Sequence, residues 1–270
     1  VYGEEARKTA SASDMARASG HIIGPLQGIP VAVKDIIDIE GKITTGGSIV
    51  WKDRRSNLTA TLVRRMVEAG MIVLGKTHTV EFAMGSFGTN QHMGSPKNPW
   101  DLEEHRATGG SSAGTAAAVA AGLTPWGIGT DTGGSVRIPS AWCGLTGLKT
   151  SVGRISTHGI LPLSHTLDTP GPMCRSVEDA AILYRILAGP DEQDSRTVIH
   201  SVEDPFSELK KGICGFKLAR VPDSEFSERV GKTWSQYPSS RTAEFLRRDG
   251  GPCRTDHRCR GIFLRREIHR

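Results

Sequence analysis

Three residues of this chain could perform acyl-transfer chemistry with no histidine among them: Ser111, Ser135 and Lys34. Ser111 lies in Gly109-Gly110-Ser111-Ser112-Ala113-Gly114, and Ser135 closes the turn Asp131-Thr132-Gly133-Gly134-Ser135. A glycine turn of the second kind, directly after an apolar strand, aims several backbone N–H groups at one point and lets a substrate approach the main chain. Donors oriented in this way toward a developing alkoxide lower a barrier by about 3 to 4 kcal/mol, so the turn reads as an oxyanion hole with Ser135 as its nucleophile. A serine nucleophile also needs a base, and Lys34 is the one ionisable side chain set into an apolar strand of this half. Desolvation disfavours its ammonium and makes the amine a proton acceptor. Ser111 supplies a second hydroxyl that can relay the proton between Ser135 and Lys34.

The elements that must hold these groups can be read from pattern. Leu26 to Asp35 reads as a turn and then a buried strand, with Val31, Ala32 and Val33 running into Lys34. A helix is expected from Leu58 to Ala69, capped by Ser56 or Asn57 and stopped by Gly70, followed by a strand from Met71 to Leu74. The Ala-rich stretch Ser112 to Ala121 predicts a helix, Trp126 to Gly129 a strand, and Ser176 to Leu187 a helix with Ser176 and Asp179 near its start. Trp126 and Trp142 are expected in the core. This alternation predicts an α/β fold, a mixed twisted sheet covered by helices on both faces. After Gly212 the pattern deteriorates. Lys217 to Val221 still reads as a strand, whereas Ser224 to Arg270 has neither alternation nor a clean helical face and resembles a chain read in a foreign frame. The expected organisation is a catalytic domain over 1–222 and an Arg-rich tail over 223–270 that is not a folded domain, so the natural domain is interrupted between 222 and 240.

Several separate blocks, in order, resemble the amidase signature family. They are Gly28-Ile29-Pro30-Val31-Ala32-Val33-Lys34-Asp35, Gly75-Lys76-Thr77, Glu81-Phe82-Ala83-Met84-Gly85, Asn98-Pro99-Trp100, Gly109-Gly110-Ser111-Ser112, Gly129 to Ser135, and Gly144 to Lys149. The resemblance covers about residues 24–195. It implies the amidase signature fold with its C-terminal part missing, and a Ser, cis-Ser, Lys triad: Ser135 as nucleophile, Ser111 in a cis peptide and Lys34 as base. It further implies an oxyanion hole from the backbone of Thr132, Gly133, Gly134 and Ser135, an Asp131–Arg137 pair bracing the nucleophile turn, and Ser112 as a supporting donor. No metal or organic cofactor is implied. The sequence departs from the family pattern at Ala113, where glycine is common, at Thr150, where proline is common, and above all in length.

The implied activity is hydrolysis of a carboxylic amide to an acid plus ammonia or an amine through an acyl-enzyme. Two alternatives stand beside it: a glutaminase resembling the A-subunit of an aspartyl/glutamyl-tRNA amidotransferase, and an inactive truncated remnant. The partners expected are a small-molecule amide and, at the protein level, a second copy of the chain or, in the alternative, amidotransferase subunits.

Other readings of the same residues are weaker. Gly110-Ser111-Ser112-Ala113-Gly114 also fits the G-x-S-x-G elbow of α/β-hydrolases, with Asp168 and His165 as nominal partners, but the polar Glu103-Glu104-His105-Arg106 stands where that elbow needs a strand. A phosphate-cradling loop would need a Gly-Lys-Ser/Thr ending that is absent. His78, His92, His158 and His165 read as solvent or capping residues, and Arg154 and Asp168 as structural pairs near the substrate side.

Composition bounds what remains. The 270 residues are 37% hydrophobic and 23% charged, ordinary for a globular protein. No stretch reaches the roughly 20 apolar residues of a membrane span and no basic-then-apolar leader opens the chain, so a cytoplasmic location without membrane contact is expected. The opening Val1 in place of Met points to a trimmed start. Five cysteines form no paired framework, which fits a reducing compartment, and Cys253, His257 and Cys259 match no common zinc spacing. The net charge of +5 is carried entirely by residues 241–270, with nine Arg against four acidic residues. The rest of the chain is therefore neutral, and direct nucleic-acid binding by a basic folded surface is not expected.

Overall fold

The computed structural model describes residues 1–198 and 204–209. They fall into two compact units, Val1–Pro205 and a second that begins at Phe206, whose described part is the short helix Phe206–Leu209. The expected boundary at 222/223, the strand at Lys217 to Val221 and the Arg-rich tail lie outside the described residues.

The first unit is a five-stranded mixed sheet with helices on both faces. Its strands are β1 (Pro30–Lys34), β2 (Ile72–Thr77), β3 (Trp126–Asp131), β4 (Thr146–Gly147) and β5 (Thr169–Cys174), in the spatial order β2-β1-β3-β5-β4. β1 is parallel to both β2 and β3, and β5 is antiparallel to β3 and β4. The helices are α1 (Gly3–Ala18), α2 (Thr61–Glu68), α3 (Ala113–Ala120), α4 (Arg137–Trp142) and α5 (Val177–Leu187).

Alternation along β1 and β3 divides the core between the two faces. Val31, Val33, Trp126 and Ile128 pack with Leu62 and Met66 of α2 and with Leu183 and Leu187 of α5. The opposite face belongs to α3, which lies so close that β3 presents glycines to it. A Cβ on Gly127 would sit 2.5 Å from Thr115 Cγ2, and one on Gly129 would sit 2.7 Å from Ser112 Oγ. The small residues Ala113, Gly114 and Ala116 on the helix permit the same approach, and a Cβ on Gly114 would be 2.4 Å from the His78 nitrogen. Small residues on both sides thus let the Gly110–Ser112 segment reach the ends of β1 and β3.

Some elements differ from their sequence expectation for identifiable reasons. α2 starts at Thr61, three residues late, and its N-cap Ala60 gives no side-chain bond, because Ser56 is engaged with the Asp38 carboxylate and Thr59 accepts from the Glu40 N–H at 3.0 Å. β2 runs on through Gly75-Lys76-Thr77 because Lys76 finds partners in the interior, Thr44 Oγ1 at 2.7 Å and Asp35 Oδ1 at 3.4 Å. α5 has the expected cap, with Ser176 Oγ accepting from the Asp179 N–H at 3.1 Å. Trp126 is buried, whereas Trp142 is 44% exposed and meets the edge of Phe87, ring centroids 5.9 Å apart. Sequence pattern also misses α1 and β5, Thr-Pro-Gly-Pro-Met-Cys, whose two prolines and glycine argue against a strand. The Pro172 carbonyl accepts from Leu148 N–H at 3.0 Å on the β4 side, so the nitrogen that lacks hydrogen also faces away from β3 and the β3 ladder loses no bond.

The seam between α3 and β3 generates a test. Gly127→Ala adds one methyl group against Thr115 and Val119, and overpacking of this kind costs about 1 to 3 kcal/mol. Urea denaturation should show that loss, and a midpoint equal to wild type would mean that α3 does not lie this close to the sheet.

Candidate active site

Lys34 is the last residue of β1 and its side chain is fully buried. Nζ lies 2.7 Å from Ser111 Oγ and 2.9 Å from Thr130 Oγ1, and it makes no ion pair among the described residues. Burial lowers its pKa from 10.5 to about 7, against the opposing pull of the carboxylates of Asp131 and Asp168.

Ser111 reaches the amine from the loop before α3. The Gly110–Ser111 peptide is cis, and the Ser111 carbonyl accepts from Val80 N–H at 3.2 Å. Gly110 tolerates no side chain, since a Cβ would meet Gly88 N at 2.7 Å and Gly85 O at 2.9 Å. Ser112, fully buried, donates to the Thr130 carbonyl and accepts from the Thr130 N–H, both at 3.2 Å, which fixes the end of β3 to the start of α3. Its own N–H donates to the Ser135 carbonyl at 3.3 Å.

The turn after β3 is organised around Asp131, which is fully buried. Its carboxylate accepts from the Gly134, Val136 and Arg137 N–H groups at 2.8, 3.1 and 3.2 Å, and from Arg137 Nε and Nη2 at 3.0 and 2.9 Å. Burial alone would raise its pKa, but the Arg137 guanidinium and the Val136 and Arg137 N–H groups outweigh it and hold the carboxyl below its usual range. Gly134, at φ 136°, turns the chain here, and its N–H is already donated to Asp131. Of the four residues expected in the oxyanion hole, Thr132, Gly133 and Ser135 have N–H groups without an acceptor among the described residues, and a Cβ on Gly133 would meet open space.

The Ser135 side chain is half-buried and its hydroxyl has no hydrogen-bond partner among the described residues. The structure therefore brings Lys34 and Ser111 together directly, while Ser135 is tied to the Ser111–Ser112 loop through its main chain. Beside the turn lies a cleft of about 170 Å³ whose walls include Ile36, Ala83, Thr130, Thr132, Leu161 and Asp168. Asp168 accepts from the Leu163 and Ser164 N–H groups at 2.8 and 2.9 Å and from the Thr132 hydroxyl, which joins the cleft loop to the nucleophile turn. His165 lines the same cleft, and residues 101–110 form turns and irregular chain with no strand leading into Gly110, so the hydrolase-elbow geometry is absent there. Sequence reading places Thr130 inside the Gly129 to Ser135 block but assigns it no role, because a threonine's type alone does not say which side chain its hydroxyl meets.

Lys34 also affects stability. Its folded pKa of about 7 is below its unfolded value of 10.5, so between these pH values the unfolded chain carries the extra proton. The contribution is fully unfavourable below pH 7 and fades as pH rises toward 10.5. The stability of Lys34→Met minus that of wild type should therefore shrink by about 1.4 kcal/mol per pH unit from roughly 7.5 to 9.5. A difference independent of pH would show that Lys34 is protonated in the fold.

The Amidase family model matches residues 1–233. Among curated relatives, the A-subunit of a glutamyl-tRNA(Gln) amidotransferase from Halorhodospira halophila is 45% identical over 228 residues, covering 84% of this chain and 46% of that relative. Among solved structures, the A-subunit of the glutamyl-tRNA(Gln) amidotransferase from Thermotoga maritima has a TM-score of 0.69 at 40% identity, over 79% of this chain and 50% of that one. The peptide amidase of Stenotrophomonas maltophilia has a TM-score of 0.70 at 40% identity, over 74% of this chain and 42% of its own. The chain spans about half the length of the relatives it matches. With a five-stranded mixed sheet that joins Lys34 to a cis Gly110–Ser111 peptide, and a family match over residues 1–233, the chain belongs to the amidase family.

Proposed function

We propose that the chain carries the catalytic centre of a carboxylic amide hydrolase, with Ser135 as nucleophile, Ser111 as relay and Lys34 as base. The observation that carries this reading is the 2.7 Å approach of the fully buried Lys34 amine to Ser111 Oγ, beside a turn that presents Ser135 and unpartnered N–H groups. With a pKa near 7 the amine is partly neutral at physiological pH and can take a proton.

The cycle starts when Ser135 Oγ attacks the amide carbonyl, passing its proton to Ser111 Oγ while the Ser111 proton moves to Lys34 Nζ. The carbonyl oxygen becomes an oxyanion held by the N–H groups of Thr132, Gly133 and Ser135, and Gly134 contributes its backbone conformation. The C–N bond then breaks as the leaving nitrogen takes a proton from Ser111, which is replenished from the Lys34 ammonium. Water, deprotonated by the same route, cleaves the acyl-enzyme and releases the acid. Asp131 and Arg137 hold the nucleophile turn and Ser112 holds its separation from the relay serine.

A second reading is favoured by the relatives' names: the amide is glutamine and the chain works beside amidotransferase subunits. A cytoplasmic setting fits either reading, since Cys143 and Cys174 are both free and buried. No helix among the described residues is long and apolar enough to cross a membrane.

The test is a panel of simple carboxamides, with glutamine included and each run alone and with the partner subunits of a bacterial amidotransferase. Turnover should fall by roughly three orders of magnitude in Ser135→Ala and in Lys34→Ala, and a fluorophosphonate should attach to Ser135 by mass spectrometry. Full turnover in either variant contradicts the mechanism. Ammonia release from glutamine only with the other subunits present selects the second reading. No turnover and no labelling in the folded chain would select the inactive remnant.

A further inference from the structure

The Lys34 amine touches two hydroxyls, and the catalytic cycle uses one of them. A neutral primary amine has two N–H donors and a single lone pair. It accepts the Ser111 proton only when the lone pair, and not an N–H, faces Ser111 Oγ, so some other acceptor must take an N–H for the amine to be aimed. Thr130 Oγ1 stands 2.9 Å from Nζ. Asp131 and Asp168 are the charged groups that act on this amine, and neither bonds to it among the described residues: Asp131 is occupied by Arg137 and backbone N–H groups, Asp168 by Leu163, Ser164 and Thr132.

Thr130 is well made for such a task. It is 5% exposed, and both its N–H and its carbonyl are tied to Ser112 Oγ, so its main chain is fixed by the neighbour of the relay serine. As a β-branched residue it also has restricted χ1 freedom. The amine is thus held by a hydroxyl whose position is registered to the residue it must serve.

We propose that Thr130 is a positioning residue that acts through Lys34: its hydroxyl accepts one amine N–H and so directs the Lys34 lone pair at Ser111. The proposal rests on the reading of Lys34 as the base. In the protonated state both hydroxyls accept from the ammonium. In the neutral state Thr130 still accepts, while Ser111 becomes the donor, and the proton arriving from Ser135 has one defined destination.

The experiment compares Thr130→Val, which keeps the shape and removes the hydroxyl, with Thr130→Ser, which keeps the hydroxyl. Two readouts are taken: kcat and KM on the amide the wild type hydrolyses, and the titration of Lys34 followed by NMR of 13C-labelled lysine in the full chain. Misdirecting a catalytic group by this much costs roughly 10- to 100-fold, so Thr130→Val should lose that factor in kcat with KM nearly unchanged. Loss of an acceptor for the ammonium should also move the Lys34 titration below its wild-type value. Thr130→Ser should return both toward wild type. Wild-type kcat and an unmoved titration in Thr130→Val overturn the proposal, as does a Thr130→Ser variant no better than Thr130→Val. If Thr130→Val does not fold, Thr130→Ala is scored by the same criteria. If the wild-type chain hydrolyses no amide, alone or with the partner subunits, and takes no label at Ser135, the proposed function fails on that result, while the NMR titration alone still decides whether Thr130 holds the amine.

Discussion

A buried amine with no bonded counterion among the described residues organises this protein. Lys34 Nζ sits at the end of β1 with two hydroxyls as its hydrogen-bond partners there. Burial of that kind penalises the ammonium, and the penalty turns a residue that is ordinarily a fixed cation into a proton acceptor near neutral pH. The packing around it follows from the same requirement. Glycines 127 and 129 on the strand, with alanine and glycine on α3, draw the helix onto the sheet and exclude solvent from the amine. They also deliver Ser111 to it.

The two carboxylates that act on Lys34 are each hydrogen-bonded to other groups. Asp131 accepts five hydrogen bonds from Arg137 and the turn backbone, and Asp168 accepts from two N–H groups and the Thr132 hydroxyl. Both still favour the Lys34 ammonium, and burial outweighs them. The bonds that shape the nucleophile turn therefore also keep the Asp131 carboxylate from pairing with the amine, which stays partly neutral near pH 7. One residue, Asp131, serves geometry and electrostatics together.

The parts of this arrangement legible in the sequence are those in which residue type dictates conformation. A lysine after Val-Ala-Val, a glycine turn after an apolar strand and an alanine-rich run before it specify β1, β3 and α3 to within a residue or two. The parts that stay hidden depend on partners far along the chain. β5 contradicts strand propensity and exists because its prolines face away from β3. Ser56 has the chemistry of a helix cap but is drawn to the Asp38 carboxylate instead. Gly134 has the composition of an oxyanion donor, yet its N–H is turned to Asp131. Thr130 falls within a quoted block, but its role is hidden there because it lies in one distance to a side chain 96 positions away.

The measurement that bears most directly on a lysine base working through Ser111 is the pH dependence of the rate at which a fluorophosphonate modifies Ser135. This reads nucleophile activation without requiring a substrate or the completion of a cycle. The rate should rise with pH through an apparent pKa near 7, as Lys34 loses its proton, and should be low and flat over the same range in Lys34→Met. A profile that is flat in the wild type, or one that keeps its inflection when Lys34 is replaced, would contradict the account.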